Sequence, residues 1–370
     1  MSTDTSLIND IALVKQLAAI NSGTQNKAGV DKVGGLIAEQ FDVLGFKLHR
    51  FSHKQTGDLL YLQSPVQHTD KPKVLISGHL DTVFEPESGF LEITETSTQL
   101  YGPGVNDMKS GLVIALRALR HLHQSGNVPA NVGILLSPDE ETGSTAHRQR
   151  MQSIAKDYDV ALILEGVGEN WELCHQRKGT AELQVETYGK AGHSGHWGNR
   201  RTNAIDVLAS LITNIVGLAN LEQGTSINTG IVEGGGKINI VADHASARFD
   251  MRFVHATELE RVKKALHKLS KHYGATCELI PMFPPMTATA ATKKLMDDVS
   301  RAGESIGRTV TFQERGSASD GNMFAAEGLA VLDGFGCKGY DHHTIKERMF
   351  KASIKKQADL LAAVVQEVTE

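Results

Sequence analysis

Short strand-like runs that each empty into a loop of metal-capable residues are what most constrain this chain. Val74–Ser77 stops at Gly78, directly before His79-Leu-Asp-Thr82, and Val132–Leu136 runs into Ser137-Pro-Asp-Glu-Glu-Thr-Gly143. Val160–Leu164 ends at Glu165. Between the first two lies Tyr101-Gly-Pro-Gly-Val-Asn-Asp-Met-Lys-Ser-Gly111, a glycine-rich loop that opens into the helix-periodic stretch Leu112–Leu122. Strands alternating with helices in this way imply an α/β fold with a mixed, mainly parallel sheet. In such sheets ligands bind at the loops beyond the carboxyl ends of the strands.

The rest of the chain must be read around that sheet. At 370 residues it exceeds the roughly 250–300 residues that one hydrophobic core usually serves, so two domains are expected. From Thr180 the texture changes. Ala181–Tyr188 alternates like a half-buried strand, Ala204–Leu218 is helical, and Ile227–Val232 and Ala245–Phe253 alternate again. A helix over Glu258–His272 and a strand near Cys277–Ile280 complete a strand–helix–strand–strand–helix–strand plan, that of a ferredoxin-like α+β domain. Met282-Phe-Pro-Pro285 reads as its exit linker. The expected organisation is a catalytic domain split over residues 1–177 and 286–370, with an inserted domain over 178–285. The helix Ala352–Glu367 closes the chain.

Composition removes whole classes of function. Hydrophobic residues make up 40% and charged residues 22%, ordinary globular usage. A net charge of -5 leaves no broad basic footprint for nucleic acid. Cys174, Cys277 and Cys337 are scattered, which suggests neither a disulfide framework nor a thiolate zinc site. The polar start, with no run of ~18 apolar residues, leads us to expect a cytoplasmic protein with no membrane partner.

Imidazole nitrogen and carboxylate oxygen satisfy divalent zinc, and two ions bridged by one carboxylate need about five such side chains from different loops. His79, Asp107, Glu141, Glu165 and one of His342 or His343 supply that set. Adjacent residues of an extended chain point in opposite directions, so in Glu140-Glu141 one carboxylate can ligate while the other faces substrate. Glu140 is read as the general base, taking a proton from a zinc-polarised water and delivering it to the leaving nitrogen. Asp81, two residues beyond His79, suits a carboxylate that fixes the imidazole's tautomer and orientation.

These segments resemble the two-zinc peptidase family M20, which includes aminoacylases, acetylornithine deacetylases, succinyl-diaminopimelate desuccinylases and glutamate carboxypeptidases, and they are nearest to the last branch. The resemblance rests on Gly78-His-Leu-Asp-Thr-Val83, Gly102-Pro-Gly-Val-Asn-Asp-Met-Lys-Ser-Gly111, Ser137-Pro-Asp-Glu-Glu-Thr-Gly-Ser144, Gly189-Lys-Ala-Gly-His-Ser-Gly195 and His343-Thr-Ile-Lys-Glu347. It implies that His79 and Glu165 hold one zinc, that Glu141 and the late histidine hold the other, and that Asp107 bridges them, with Co2+ or Mn2+ able to substitute. The spacing to Glu347 selects His343; a one-residue offset found in some relatives would select His342. The resemblance further assigns His193 to the developing oxyanion, often in the partner subunit's active site, and Asn239 and Arg252 to the substrate's carbonyl or carboxylate. It implies a homodimer through the inserted domain, which would act as a lid, and a small acyl amino acid or short peptide as substrate.

The activity so implied is hydrolysis of the amide bond of a C-terminal amino acid or an N-acyl amino acid. A dipeptidase or aminopeptidase of the same family is the alternative, and a non-catalytic binding homologue a more distant one. Two segments depart from the family pattern. Met282-Phe283 stands where glutamate carboxypeptidases carry an arginine, which weighs against strict glutamate specificity. Gly316-Ser-Ala-Ser-Asp-Gly321 replaces the usual Gly-Gly-x-Asp loop, and its backbone N–H groups are expected to serve a carboxylate.

Overall fold

The computed structural model describes residues 5–68, 70–127, 130–196 and 202–370. The chain divides into two compact units, one of Arg177–Met286 with Gly316–Ala318 and the other comprising the remainder.

The larger unit is built on an eight-stranded mixed sheet. Its centre is parallel: Val132–Ser137, Val74–His79, Val160–Ile163 and Ala330–Asp333 lie side by side in that order. Leu59–Gln63 and Lys47–Phe51 extend one side antiparallel, and Leu173–Arg177 and Phe312–Arg315 extend the other. Successive residues of a strand point to opposite faces, and here both faces are covered. Val74, Ile76, Ile134, Leu162 and Leu332 belong to the core formed with the helices Lys27–Asp42, Lys109–Gln124 and Ala352–Thr369. Leu75, Leu135, Ile163 and Val331 are buried too, and the short helix Asp320–Ala326 packs on that part of the sheet. This two-sided burial explains why the central strands are nearly unbroken apolar runs.

Several strands had no clear signal in the sequence. Lys47–Phe51, Leu173–Arg177 and Phe312–Arg315 are edge or near-edge strands with polar and charged side chains. A second small antiparallel sheet joins Gly339–Tyr340, Arg348–Phe350, Gln99–Tyr101 and Thr94–Glu95. Its pairing of Arg348 with Tyr101 brings the late histidine loop to the glycine-rich loop across more than two hundred residues of chain.

The smaller unit has a four-stranded antiparallel sheet in the order Ser226–Gly234, His244–Phe253, Gly179–Tyr188, Thr276–Phe283. The helices Ala204–Val216 and Ala256–Tyr273 pack over it around Leu183, Leu208, Leu211, Phe249, Val262 and Leu266. The last strand runs to Phe283, further than its pattern predicts, across a register irregularity between Pro281 and Phe283. Met282-Phe283 is therefore strand rather than linker. Among the described residues no helix is long and apolar enough to cross a membrane.

Candidate metal centre

The strand Val74–His79 delivers His79 at its carboxyl end, Val132–Ser137 leads to Glu140 and Glu141, and Val160–Ile163 leads to Glu165. Asp107 ends the glycine-rich loop just before the helix Lys109–Gln124. Two glycines set how closely these pieces approach. A Cβ on Gly111 would lie 2.5 Å from the Leu164 carbonyl oxygen, and one on Gly336 would lie 2.3 Å from the same atom. The backbone leading to Glu165 is thus held between them.

The side chains converge. Nε2 of buried His79 lies 3.0 Å from Asp107 Oδ1 and 3.5 Å from Glu165 Oε1. Nε2 of His343 lies 3.1 Å from Asp107 Oδ2 and 3.2 Å from Glu141 Oε2. The two oxygens of Asp107 thereby face two different imidazoles. His342 makes no such approach: its ring packs edge-on against His343, with centroids 5.3 Å apart.

These spacings and charges test whether the residues fit a metal. Ligand atoms about 2.0–2.2 Å from one zinc in a tetrahedron sit roughly 3.3–3.6 Å apart, whereas a direct charge-assisted N–H···O contact is about 2.7–2.9 Å. The observed 3.0–3.5 Å separations exceed the second range and approach the first. Asp81, Asp107, Glu140, Glu141 and Glu165 also set five carboxylates against two imidazoles. A divalent cation corrects that imbalance, so the cluster can hold one, with His79, Asp107 and Glu141 close enough to share it.

Without a cation, protons take up part of the charge. Burial alone would lower the basicity of His79, but its hydrogen bonds to Asp107, Asp81 and Glu165 outweigh this and raise its pKa well above the usual value. His343 is pushed up to about 10 by its bonds to Asp107 and Glu141. Burial works to raise Asp107, yet the same two imidazoles hold it below the ordinary carboxylate range. Glu141 is raised to about 7 by burial and by the Asp107 charge. A metal needs neutral imidazole, so binding here releases protons.

Glu140 differs from its neighbour. Burial, reinforced by the charges of Glu165, Asp320 and Glu141 and opposed by His79, raises its pKa well above the usual range. Its carboxyl makes no hydrogen bond to another described residue, which leaves it available to move a proton. Its backbone is fixed from behind: Asp81 accepts from Glu140 N at 3.1 Å, Glu141 N at 3.3 Å and the Thr24 hydroxyl at 2.7 Å. The same carboxylate stands 3.2 Å from His79 Nδ1, so it orients the imidazole and the acidic pair together.

Two further residues hold the loops. Glu347, 1% exposed, accepts from the backbone N–H groups of Gly104 (3.0 Å), Asn106 (2.8 Å) and Asp107 (2.9 Å). Burial and the Asp107 charge push it up to about 7. Asp320, also buried, accepts from the hydroxyls of Ser137 and Ser144, which bracket the Glu140 loop. The sequence offers a signal for Glu347 only as the end of the His343 motif. Asp320, within the Gly316–Gly321 segment, opens the helix Asp320–Ala326, capped by Ser319.

His193, Asn239 and Arg252 lie in the smaller unit. His193 pairs with Ile240 in a short ladder, and Ser194 N donates to the Asn239 carbonyl at 3.0 Å, so these two segments adjoin. Arg252 bonds Asp250 on its own strand.

Comparison with known proteins places this arrangement among relatives. The model of peptidase family M20/M25/M40 matches residues 75–367. Carboxypeptidase G2 of Pseudomonas sp. (strain RS-16) is 25% identical over 349 residues, covering 91% of this chain and 83% of its own. A succinyl-diaminopimelate desuccinylase of Nautilia profundicola is 26% identical, covering 97% of this chain and all of its own. Among solved structures, a tripeptidase of Staphylococcus aureus superposes with a TM-score of 0.85 at 19% identity, with 99% of each chain covered.

Proposed function

The chain belongs to peptidase family M20/M25/M40, metal-dependent hydrolases of peptide and amide bonds, and on that premise we propose that it is a two-zinc enzyme cleaving an amide next to a free carboxylate. The substrate would be an N-acyl amino acid or the C-terminal residue of a short peptide. The observation that carries the reading is the Asp107 carboxylate, with Oδ1 facing His79 and Oδ2 facing His343. On that reading His79 and Glu165 would hold one ion, Glu141 and His343 a second, and Asp107 would contribute an oxygen to each.

When bound, the zinc pair supplies Lewis acidity, making a water acidic near neutrality and polarising the scissile carbonyl. Glu140 would take the proton from that water and pass it to the leaving nitrogen, a task its carboxyl, engaged by no other described residue, suits. Asp81 keeps the His79 ring oriented through Nδ1. His193 donates to the oxyanion, and Asn239 and Arg252 grip the substrate's carbonyl and carboxylate, the guanidinium fork matching a carboxylate. The smaller unit is also where a second copy would pair, along the edge strand Ser226–Gly234 with exposed Ile231 and Val232. With Met282 and Phe283 in place of an arginine, the terminal side chain need not be glutamate.

A substrate panel tests this. Zinc-loaded protein should hydrolyse N-acyl amino acids and N-blocked dipeptides, lose most activity when the terminal carboxylate is amidated, and go silent on chelation. Activity confined to peptides with a free amino terminus would move the assignment to an aminopeptidase.

A further inference from the structure

On the larger unit three cations, none of them among the residues of the metal centre, crowd one indole. Lys356 Nζ lies 3.6 Å from the centroid of Trp171, Lys338 Nζ 5.4 Å and Arg308 Cζ 5.8 Å. One cation over a ring is an ordinary packing contact. Three repel one another, and among the described residues none has a carboxylate partner to relieve it. The acids nearby are engaged elsewhere: Lys355 pairs with Asp359, and Arg301 with Glu367.

The repulsion has local signs. Lys356 is a weaker base than usual, through partial burial and then the charges of Arg308 and Lys338. Burial lowers Arg308 to about 10. Its Nη1 donates to the Lys356 carbonyl at 3.1 Å, while its Nη2 is buried with no partner. Trp171 itself has a φ of 70°, left-handed backbone that a bulky aromatic rarely adopts. Hydrogen bonds from Trp171 N to the Gly168 carbonyl and from Asn170 N to Glu172 hold it there. Arg308 and Lys356 also reach the wall of a cavity of about 960 Å³, whose lining includes Asp359, Glu367 and Glu370, their carboxylates engaged by Lys355, Arg301 and the Gln366 amide.

We propose that Arg308, Lys338 and Lys356 around Trp171 form a binding site for a phosphate-class dianion. Three cations gathered round one ring from separate elements, Lys338 standing also over Tyr340 and Phe350, suit a dianion better than a monocarboxylate, which would neutralise only one of them. The anion would also supply the acceptor that Arg308 Nη2 lacks.

The chain has two tryptophans, Trp171 and Trp197. Trp197→Phe in the zinc-loaded enzyme leaves Trp171 as the sole indole reporter. Inorganic phosphate, titrated at constant ionic strength against chloride and acetate, should change its emission saturably. The Arg308→Met/Lys356→Met variant should weaken that response about tenfold or more, the scale of losing one charged hydrogen bond. Phosphate bound at the zinc pair would persist in both proteins, so the difference reports this site. A simple phosphomonoester binding more tightly than inorganic phosphate would identify a phosphorylated metabolite as the ligand; the reverse order would identify the free ion.

Lys356→Met alone guards against misfolding. In phosphate-free buffer it should not lower the melting temperature, because it removes repulsion, and it should abolish any rise in melting temperature produced by phosphate. Absence of a saturable change with either probe, or an equal response in the double variant, would overturn the proposal. So would a lowered melting temperature with an intact phosphate response, which would mark the cluster as stacking on Trp171 alone.

Discussion

The loops at the carboxyl ends of the central strands and the segments carrying His193, Asn239 and Arg252 solve opposite problems. In the former, position is over-determined. Asp81 ties His79 to the backbone of Glu140 and Glu141, Asp320 ties Ser137 to Ser144, and Glu347 takes three N–H groups of the Asp107 loop. In the latter, His193 and Asn239 are exposed, and among the described residues His193 Nδ1 accepts only from Gly195 N, two residues along. Carboxylates crowded together repel one another, so they stay in register only if the surrounding structure holds them. Under the proposed function His193, Asn239 and Arg252 would instead take their final geometry when a substrate arrives. The difference teaches that rigidity is placed where like charges must be assembled beforehand.

Substitution of one reactive group from each region sharpens that contrast. Glu140→Gln keeps the shape of the loop and removes its proton carrier, so kcat should fall by about 10²–10⁴ at unchanged zinc content. Zinc analysis beside steady-state kinetics checks both halves. Near-normal turnover would show that the base lies elsewhere. His193→Ala should lower kcat by roughly 10²–10³, the scale of one oxyanion donor. Being exposed, it should leave the denaturation midpoint and the zinc content untouched. A large loss of stability would instead show that this segment is as firmly built in as the metal loops.

The same contrast governs how much was legible beforehand. The central strands announce themselves because both faces are buried, and His79, Glu141 and Glu165 because each lies at or just beyond the end of such a strand, whereas Asp107 is marked by its glycine-rich loop and His343 by its motif. His79, Asp107, Glu141, Glu165 and His343 fall together in space as their residue types and spacing suggest. Local pattern also marks the two helices of the smaller unit. Lys47–Phe51 and Phe312–Arg315 escape notice because strands at the sheet's edges carry polar side chains that resemble loop. The supporting roles of Glu347 and Asp320, residues that fall inside recognised segments, escape for a different reason. Their work is long-range, Glu347 to Gly104 and Asp320 to Ser137, and nothing in the neighbouring sequence distinguishes a buried carboxylate that accepts N–H or O–H groups from a solvated one. The two neighbouring histidines are told apart only in the fold, where His343 Nε2 approaches Asp107 and Glu141 while the His342 ring packs against that of His343.

The remaining predictions probe those supporting carboxylates. Glu347→Gln replaces an acceptor-only group by an amide whose NH2 must face backbone N–H groups. The Asp107 loop should loosen, and zinc affinity should fall about 10–100-fold, the usual cost of disturbing a group that orients a ligand. Competition with a chromogenic chelator measures this. Unchanged affinity would mean that the loop holds its shape unaided.

Asp320→Asn should have the smallest effect, and its mark lies in pH dependence. Burial lifts the Asp320 carboxyl to about 6, against an ordinary 3.8. Below pH 3.8 the group is protonated in both the folded and unfolded chains, and its contribution to stability is fully present. As pH rises from there to about 6 the unfolded chain gives up the proton first, so stability falls; above 6 the loss is complete and the curve flattens. Glu141 and Glu347, both raised to about 7, slope the same way but are present in wild type and variant alike. Denaturation of metal-free protein from pH 4 to 7 should therefore decline less steeply in Asp320→Asn. Turnover of the zinc-loaded variant should change only a few-fold, since the asparagine oxygen can still accept from one serine hydroxyl. Parallel pH curves would show that Asp320 does not titrate in this window, and that the serine bonds, rather than burial, set its charge.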